Sequence, residues 1–305
     1  MKQRIIRSLI VFAINLLSLF FLLLPWSIAL ALGACLGRSA FFLLKRERRK
    51  SESHFLIAFG NRYSPEERRR VLLKSFENLG RSVAEVLKFS QISAANIDRF
   101  VTFEGEERLK EAFSRKKGII FVTAHFGNWE MMGIALAIKG YPTHVVAAPL
   151  YDSRLDHIMI RYRNLHGVET ITRGSEGGGK RILSALKRNH ILGLLIDQDI
   201  EADGVFVKFF DRMAYTPSGA ASLALKSGAA VIFGFIVRES GNTHRVMIEG
   251  PVDLIRCGDR REEIRVNTAL FTRAIEEQIR KMPDHWVWMH NRWQTREPAQ
   301  PYESS

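Results

Sequence analysis

The residue best placed in this chain to act as a general base is a histidine at the end of an apolar run. Residues 121–130 read FVTAHFGNWE, so His125 ends the run and a carboxylate, Glu130, follows five positions later. Gly127 and Asn128 between them favour a chain reversal. A carboxylate on one ring nitrogen leaves the other free to take a proton from a hydroxyl. The pattern predicts His125 as base and Glu130 as its orienting acid, with a structural histidine as the alternative.

Two further carboxylates follow a second apolar run. Asp197 and Asp199 come directly after ILGLLI, with one glutamine between them. Open α/β sheets bind their ligands at the carboxyl ends of strands, so both aspartates are candidate substrate-binding residues. Hydrogen bonding to a loop or a helix end is the alternative role for each.

Basic side chains bracket the next loop region. Arg161, Arg163 and Arg173 are able to bind an anionic group through paired N–H donors, although a solvated basic face is the commoner explanation for any one of them. Lys208 stands in the apolar segment GVFVKFF, which is either the lip of a site or part of the core. The glycine-rich residues 174–179 lack the Gly-Lys-Ser/Thr ending of a phosphate-binding loop, so they support nucleotide binding only weakly.

The elements that must position these side chains alternate from residue 118 onward. Short apolar runs predict strands at GIIFVTA, THVVAAP, ILGLLID, AVIFGFIV and HRVMIEG, and the aromatic segment WVWMHNRW is also strand-like. Helices are predicted near residues 129–138, 154–164, 179–188, 217–226 and 262–282. This order predicts an α/β fold with a mixed, largely parallel sheet flanked by helices, and a site at the strand ends.

The N-terminal part of the chain predicts a membrane anchor. Residues 8–37 contain no charge, and a helix of that length exceeds a hydrocarbon core of about 30 Å. One spanning helix over residues 8–30 fits, with the stretch after Pro25 tilted, kinked or lying in the interface. A lipoprotein signal cleaved before Cys35 is an alternative, but the run is longer than the roughly 7 to 15 apolar residues of such signals. A buried core helix is disfavoured by the uninterrupted length.

Charge and composition limit the possible partners. The net charge is +13, and residues 1–50 carry nine basic residues and one acidic residue. This concentration points to a membrane surface, and the denser basic cluster after the apolar run predicts a cytoplasmic main domain. No zinc-finger spacing or aromatic RNA-binding box supports nucleic-acid binding. The two cysteines offer no disulfide framework, and we expect no metal and no cofactor.

We divide the chain into four segments on these patterns. Residues 1–44 form the anchor, residues 45–100 a juxtamembrane helical region, residues 101–293 the main domain and residues 294–305 a polar tail. Within the second segment Ser64 is the predicted N-cap of a helix, Pro65 its first residue and Glu67 the acid that completes a capping box.

In this order the segments resemble the lipid A biosynthesis acyltransferases, the lauroyl and myristoyl transferases of Gram-negative bacteria in the lysophospholipid-acyltransferase-like family. The resemblance is carried by the apolar N-terminus, AHFGNWE, RYRNLHGVETITRG, LLIDQDI, GVFVKFFDRMAYTPSGAASLALKSGAAVIFGFIVR and WVWMHNRWQTREP. The family's histidine, four intervening residues and acid match His125 and Glu130. Its Asp-Gln-Asp matches residues 197–199. The Phe-Pro-Glu-Gly-Thr-Arg motif of glycerol-phosphate relatives is absent, which argues against glycerol 3-phosphate as acceptor.

The resemblance implies a glycerolipid-acyltransferase-like fold and transfer of an acyl chain from acyl carrier protein to a hydroxyl of a lipid A precursor. It also implies the bacterial inner membrane, with inner-membrane lipids as partners, a single N-terminal anchor and the catalytic domain on the cytoplasmic side. Acylation of another membrane lipid, a lysophospholipid or an amino-acid lipid, is an alternative. A membrane-tethered binding protein without enzymatic activity is another.

The family's arginines match Arg163 and Arg173, which with Lys208 are then expected to face sugar phosphates. Backbone amides near Gly127 and Asn128, at the start of a helix, are candidates for stabilising the oxyanion of the reaction. No serine or cysteine lies in a nucleophile elbow, so no acyl-enzyme is needed.

Overall fold

The structure is a computed structural model that describes residues 16–149 and 153–297. The basic residues near the N-terminus, residues 8–15 of the expected membrane span and the last eight residues of the polar tail lie outside the described residues. The helices are α1 (residues 16–23), α2 (Trp26–Leu43), α3 (Lys45–Phe59), α4 (Pro65–Leu87), α5 (Glu106–Ser114), α6 (Trp129–Ile138), α7 (Ser153–Leu165), α8 (Gly178–Lys187), α9 (Gly219–Ser227) and α10 (Arg260–Lys281). Single turns of 3-10 helix cover Phe89–Gln91, Ile97–Arg99, Ser240–Asn242 and Pro283–His285.

Seven strands form the main sheet, and two more form a separate antiparallel hairpin. The strands are β1 (Val101–Glu104), β2 (Ile119–Thr123), β3 (Thr143–Ala147), β4 (Val168–Thr172), β5 (Ile191–Leu195), β6 (Gly204–Phe209), β7 (Arg212–Pro217), β8 (Ala230–Arg238) and β9 (His244–Val252). The sheet order is β1-β9-β8-β2-β5-β3-β4, and β6 pairs with β7 in the hairpin. All neighbours in the sheet are parallel except β8 and β9. The predicted mixed, largely parallel α/β fold is therefore confirmed.

The central strand β2 is buried on both faces, which explains its uninterrupted apolar sequence. Ile120 and Val122 belong to the core that includes residues of α3, α9 and α10, whereas Ile119 and Phe121 belong to a second core with residues of α5 and α6. Successive residues of a strand point to opposite faces, so helices cover both sides of the sheet. This double cover leaves the strand ends as the accessible edge.

The N-terminal apolar region is two helices rather than one. Helix α1 ends at residue 23 and α2 begins after Pro25, whose ring cannot continue a helical hydrogen-bond ladder. The buried Lys88 side chain donates to the carbonyl oxygens of Phe21 at 2.8 Å and Leu24 at 2.9 Å, which satisfies the end of α1. The helix predicted over residues 8–30 is therefore interrupted at Pro25. Among the described helices, α2 is the one long and apolar enough to cross a membrane.

Helix α4 begins as its sequence indicates and packs closely on α2. The Ser64 hydroxyl accepts from the Glu67 amide, and the Glu67 carboxylate accepts from the Ser64 amide, so the predicted capping box is confirmed. Three glycines let the two backbones touch. A Cβ on Gly80 would lie 2.1 Å from the Gly33 carbonyl oxygen, and one on Gly37 would lie 2.1 Å from that of Phe76.

The late aromatic segment is not a strand, contrary to its sequence pattern. Within it the described pairing is one isolated bridge, between Trp286 and Phe126. Trp286 and Trp288 are fully buried in the core that contains Ile120 and Val122, and their ring centroids are 4.7 Å apart. The apolar run covers the end of the sheet as an irregular layer. Strands β1 and β4 and the hairpin β6–β7 were not predicted as strands.

We expect Gly80→Ala to destabilise the protein, because the added methyl group has no space between α2 and α4. Overpacking of this kind costs about 1–3 kcal/mol, despite the better helix propensity of alanine. The measurement is the midpoint of thermal unfolding of the detergent-solubilised protein. Gly133→Ala in α6 is the matched control, since nothing lies within 4 Å of its added Cβ, and it should leave the midpoint unchanged or raise it. Equal midpoints for Gly80→Ala and wild type would contradict the close packing.

Candidate active site

The register of two parallel strands brings a histidine and an aspartate together. Thr123 at the end of β2 is the partner of Leu195 at the end of β5, and His125 and Asp197 each stand two residues further on. Their side chains meet, with His125 Nδ1 2.9 Å from Asp197 Oδ1. The backbone N–H of His125 also donates to Asp197 Oδ2, at 2.9 Å. The carboxylate therefore fixes both the position and the orientation of the imidazole.

Asp197 is a buried anion whose charge is satisfied by its neighbours. Besides the two bonds from His125, its Oδ2 accepts from the indole N–H of Trp286 at 2.8 Å. Burial alone would raise the pKa of this carboxyl, but the His125 ring and these N–H donors hold the pKa well below its usual range. Asp197 is therefore ionised at neutral pH and able to stabilise an imidazolium.

The second nitrogen of His125 faces an amide donor. Gln198 Nε2 lies 3.2 Å from His125 Nε2 and also contacts Nδ1 of His290. An amide N–H group only donates, so His125 Nε2 is the unprotonated nitrogen and Nδ1 carries the proton toward Asp197. This is the tautomer that a general base requires, with its lone pair on the accessible side.

His290 packs beside the catalytic candidate without adding a charge. Its ring centroid is 4.6 Å from that of His125. Burial, together with the charge of His125, lowers the pKa of His290 to about 3. A neutral His290 does not repel His125 when that ring takes up a proton.

The structure corrects the expected partner of His125. Glu130 lies in the first turn of α6, and its carboxylate pairs with the guanidinium of Arg163 on α7. Arg163 Nε is 2.8 Å from Oε2 and Nη2 is 2.5 Å from Oε1. Among the described residues, His125 and Glu130 form no direct hydrogen bond. Both oxygens of the Glu130 carboxylate bond the Arg163 guanidinium, and Asp197 is the carboxylate that bonds His125 Nδ1. Burial by itself would lower the pKa of the Arg163 guanidinium, but the hydrogen bonds and the charge of Glu130, with the charge of Asp156, together raise this pKa.

One of the two candidate oxyanion donors is already engaged. The Gly127 N–H donates to the His285 carbonyl oxygen at 2.8 Å, so the expectation that this amide binds the oxyanion is not met. Gly127 itself is required by packing, since its φ is +60° and a Cβ would lie 1.9 Å from the Ile236 carbonyl oxygen. Asn128 is the N-cap of α6, and its side chain accepts from the Met131 amide at 3.0 Å.

A buried ion cluster holds the turn that follows His125 in place. Asn128 Nδ2 donates to Glu85 at 2.6 Å, and the same carboxylate pairs with Arg238 at 2.6 Å and His244 at 2.9 Å. Glu85 is fully buried. Burial would raise its pKa, but His244 and Arg238 outweigh that effect and lower the pKa to about 2. The cluster joins α4, β8 and β9 to the turn that follows His125.

The remaining predicted residues lie apart from this pair. Asp199 accepts hydrogen bonds from the Gln294 and Thr295 backbone amides at 3.0 and 2.6 Å, which is the loop-binding alternative. Arg173 follows β4, and its backbone amide donates to a carbonyl oxygen at the end of β3. Lys208 is exposed on the hairpin, and Arg161 is exposed on α7. The described contacts join none of these four to His125.

Sequence reasoning missed three residues of the site: Trp286, Gln198 and His290. Gln198 stands between the two predicted aspartates, and the other two belong to WVWMHNRW. A polar residue among tryptophans was a usable signal for His290. The Trp286 contact has no local signal, because residues 89 positions apart make it.

Comparison with known proteins decides the family. The family model described as bacterial lipid A biosynthesis acyltransferase matches residues 1–295. The chain belongs to this family. It is 26% identical to a lipid A biosynthesis palmitoleoyltransferase of Escherichia coli K12 over 277 residues, or 90% of this chain and 87% of the relative. It is 24% identical to a lipid A biosynthesis lauroyltransferase of the same organism over 282 residues, or 91% and 89%. This lipid A acyltransferase family member is therefore an enzyme that transfers acyl groups.

A second group of relatives matches part of the chain. The phosphatidylinositol mannoside acyltransferase of Mycobacterium tuberculosis H37Rv is 30% identical over 168 residues, which cover 53% of this chain and 52% of the relative. Both groups bear names of acyltransferases that act on lipids.

We expect Glu85→Gln to destabilise the protein by about 3 kcal/mol at neutral pH, because Arg238 and His244 lose a buried partner. The folded pKa of Glu85 lies below its unfolded value, so its contribution is complete above pH about 4.5 and is lost as the pH falls toward about 2. Chemical unfolding of the detergent-solubilised protein across that range measures both effects. The variant should show a flatter acid limb than wild type.

Glu262→Gln is the control for this prediction, since Glu262 pairs with Arg265 on an exposed side of α10 and should change stability little. Identical acid limbs for wild type and Glu85→Gln would show that the cluster does not contribute to stability.

Proposed function

We propose that this protein is a membrane-bound enzyme that moves a fatty acyl chain from acyl carrier protein to a hydroxyl of a lipid A precursor. One observation carries the proposal: His125 has its Nδ1 held by a buried carboxylate and its Nε2 presented to a hydrogen-bond donor. The two relatives that match about 90% of this chain, named as lipid A palmitoleoyl and lauroyl transferases, support the acceptor class.

The reaction follows from the protonation state of this histidine. An acceptor hydroxyl takes the place of the Gln198 amide on His125 Nε2 and loses its proton there as its oxygen attacks the thioester carbonyl. The C–S bond then breaks, and the imidazolium returns the proton to the departing thiolate. Asp197 stabilises the imidazolium between the two steps, as the carboxylate does in the serine-protease triad. General-base catalysis of this kind contributes about 10²–10⁴-fold to the rate.

The oxyanion that forms at the thioester carbon needs a donor at the same end of the sheet. The backbone N–H of Asn128, at the start of α6, supplies it in this proposal, because amides in the first turn of a helix point outward. The Glu85 contact and the Met131 cap hold Asn128 in place without using this backbone N–H group.

Positive charge at the carboxyl edge of the sheet suits a phosphorylated sugar lipid. Arg163 lies in the last turn of α7, and Arg173 directly follows β4. Glu130 fixes the Arg163 guanidinium through a hydrogen bond of 2.8 Å. We assign Glu130 the positioning of this arginine rather than of His125. Lys208 stays a predicted phosphate contact on the hairpin.

The proposed location is the bacterial inner membrane with the catalytic domain on the cytoplasmic side. Five of the first six residues of α3, residues 45–50, are basic, and they follow the apolar helix α2 directly. A basic segment beside a membrane-bound helix is attracted to the anionic lipids of the cytoplasmic leaflet, whether the helix crosses the membrane or lies in its surface.

Another membrane lipid is the second candidate acceptor. The partial match to phosphatidylinositol mannoside acyltransferases favours it, because those relatives are named for a different sugar lipid. The same His125 and Asp197 chemistry would serve either acceptor.

We expect Asp197→Asn to lower kcat by about 10³–10⁴-fold, since an amide no longer stabilises the imidazolium or selects its tautomer. His125→Ala should lower kcat at least as far, and the double variant should be no worse than His125→Ala alone.

Glu130→Gln should act mainly on the KM for the phosphorylated acceptor, through Arg163. Steady-state assays with a labelled acyl donor separate kcat from KM. The exposed Glu201→Gln is the control, and near-normal kcat in Asp197→Asn would remove the pair from the mechanism.

The acceptor is tested by mass spectrometry of lipid A from cells with and without this gene. We expect lipid A to gain the mass of one acyl chain when the gene is present and to lose that gain with His125→Ala. Purified protein is then offered a panel of acceptors with one labelled donor, either as the carrier-protein thioester or as the coenzyme A thioester. Unchanged lipid A together with turnover on a different lipid would establish the second candidate.

A further inference from the structure

The exposed apolar side chains of this protein are concentrated at its N-terminal helices. Of the fifteen large hydrophobic side chains that are exposed within the described residues, ten lie between residues 16 and 44. Leu23 is 79% exposed and Leu43 is 77% exposed. We call the set on α1, α2 and the residue that follows α2 the apolar face; its members are Leu16, Leu17, Leu19, Phe20, Leu23, Ile28, Leu36, Phe42, Leu43 and Leu44. A water-exposed surface of this kind requires a partner.

The opposite side of α2 is fixed to α4 from one end to the other. Near the start of α2, the Lys88 ammonium nitrogen lies over the Trp26 ring, 5.6 Å from the ring centroid. At its middle, Gly33 lies against Gly80, and near its end Phe42 contacts the Arg69 guanidinium at 5.7 Å. The two helices are therefore antiparallel, and these contacts join them near both ends of α2 and at its middle.

Helix α4 in turn belongs to the body of the enzyme. Ser75 donates to the Trp286 carbonyl oxygen at 2.7 Å, and Glu85 is part of the ion cluster with Arg238. A helix that crosses a bilayer has its two ends in different aqueous compartments. Because both ends of α2 are attached to one helix of a sheet-based domain, α2 cannot cross without taking α4 and its charged residues into the hydrocarbon.

The charges beside the apolar face fit the surface of a membrane. Arg38 lies within α2, pairs with Glu77 at 2.8 Å and keeps a side chain that is 61% exposed. Lys45, Arg46 and Arg49 are exposed directly after the apolar Leu43 and Leu44. Side chains of this type, with apolar neighbours, are typical of helices that lie in the headgroup region of anionic membranes.

We propose that α2 lies along the membrane surface instead of crossing it, with the apolar face immersed in one leaflet and the adjoining basic residues against anionic headgroups. The occupant of this face is therefore a lipid bilayer. The proposal deepens the membrane-bound part of the proposed function and rests on it. Since α4 also carries Glu85, which holds Asn128, the contact sets the catalytic turn at a fixed height above the leaflet that holds the acceptor.

The experiment measures the depth of three labels on one side of α2. The natural exposed Cys35, in a Cys257→Ser background, is the first site. Ile28→Cys and Ser39→Cys are made in a background that also has Cys35→Ser. At about 100° per residue the three positions fall within roughly 40° of one another around the helix. Each full-length variant is labelled with an environment-sensitive fluorophore and reconstituted into vesicles of phosphatidylglycerol and phosphatidylcholine, the latter brominated at shallow, middle or deep chain positions.

A helix in the surface places all three labels at the same shallow depth, so shallow bromines should quench each one most strongly. A spanning helix separates residues 28 and 39 by about 16 Å along the membrane normal. Quenching that changes from shallow to deep along the series would overturn the proposal. Absence of quenching at all three sites would overturn it as well, and would indicate that protein, such as a second copy of the chain, covers the face.

The remaining natural cysteine supplies the aqueous control. Cys257 is exposed in the segment between β9 and α10, and with Cys35→Ser its label should not be quenched by any brominated lipid. Acyl transfer is assayed in the same vesicles, and the depth series is repeated with His125→Ala. Shallow labels with no acyl transfer would leave the surface contact intact and contradict the proposed function. Acyl transfer together with labels of graded depth would contradict the surface contact of α2 and leave the proposed function intact.

Discussion

The buried carboxylate of Asp197 is the group on which the site depends. Removing an ionised carboxylate from water costs several kcal/mol, and the protein offsets this cost with three N–H donors. Two donors come from His125, just after β2, and one comes from Trp286 in the C-terminal segment. The carboxylate therefore holds the end of one strand and the cover of the sheet in a single arrangement. That arrangement is the one in which His125 presents a lone pair.

In the proposed membrane-bound enzyme, helix α4 connects the candidate site to the apolar face of α2. Its Glu85 joins Arg238 and His244 on two strands to Asn128, which begins α6. The glycine contacts at the other side of α4 allow α2 to approach at backbone distance. Helix α4 therefore contacts both α2 and the residue at which α6 begins. In the proposed reaction the acceptor lipid remains in the bilayer, and this linkage would keep the base and the hydroxyl at matching heights.

The sequence predicts local elements well and long-range contacts poorly. The bounds of α6 and the capping box at Ser64 follow from neighbouring residues, and both are confirmed. The partner of His125 does not follow from neighbouring residues, because the order of the strands in the sheet decides which carboxylate it meets. Strand β5 is the neighbour of β2 although β3 and β4 come between them in the chain, so a carboxylate 72 positions away replaces the nearer Glu130. The segment WVWMHNRW is apolar because it covers the core, and apolarity alone does not distinguish such a cover from a strand.

The surroundings of His125 Nε2 favour exchange of one donor for another. Gln198 donates to this nitrogen in the structure, and in the proposed reaction the acceptor hydroxyl donates to it in turn. The exchange leaves the lone pair hydrogen-bonded throughout, so the site does not expose an unpaired buried nitrogen before the reaction. His290, kept neutral by burial, adjoins both groups. When His125 takes up the proton in the proposed reaction, the nearest charge is the Asp197 carboxylate and not a second cation. A transient imidazolium requires this electrostatic setting.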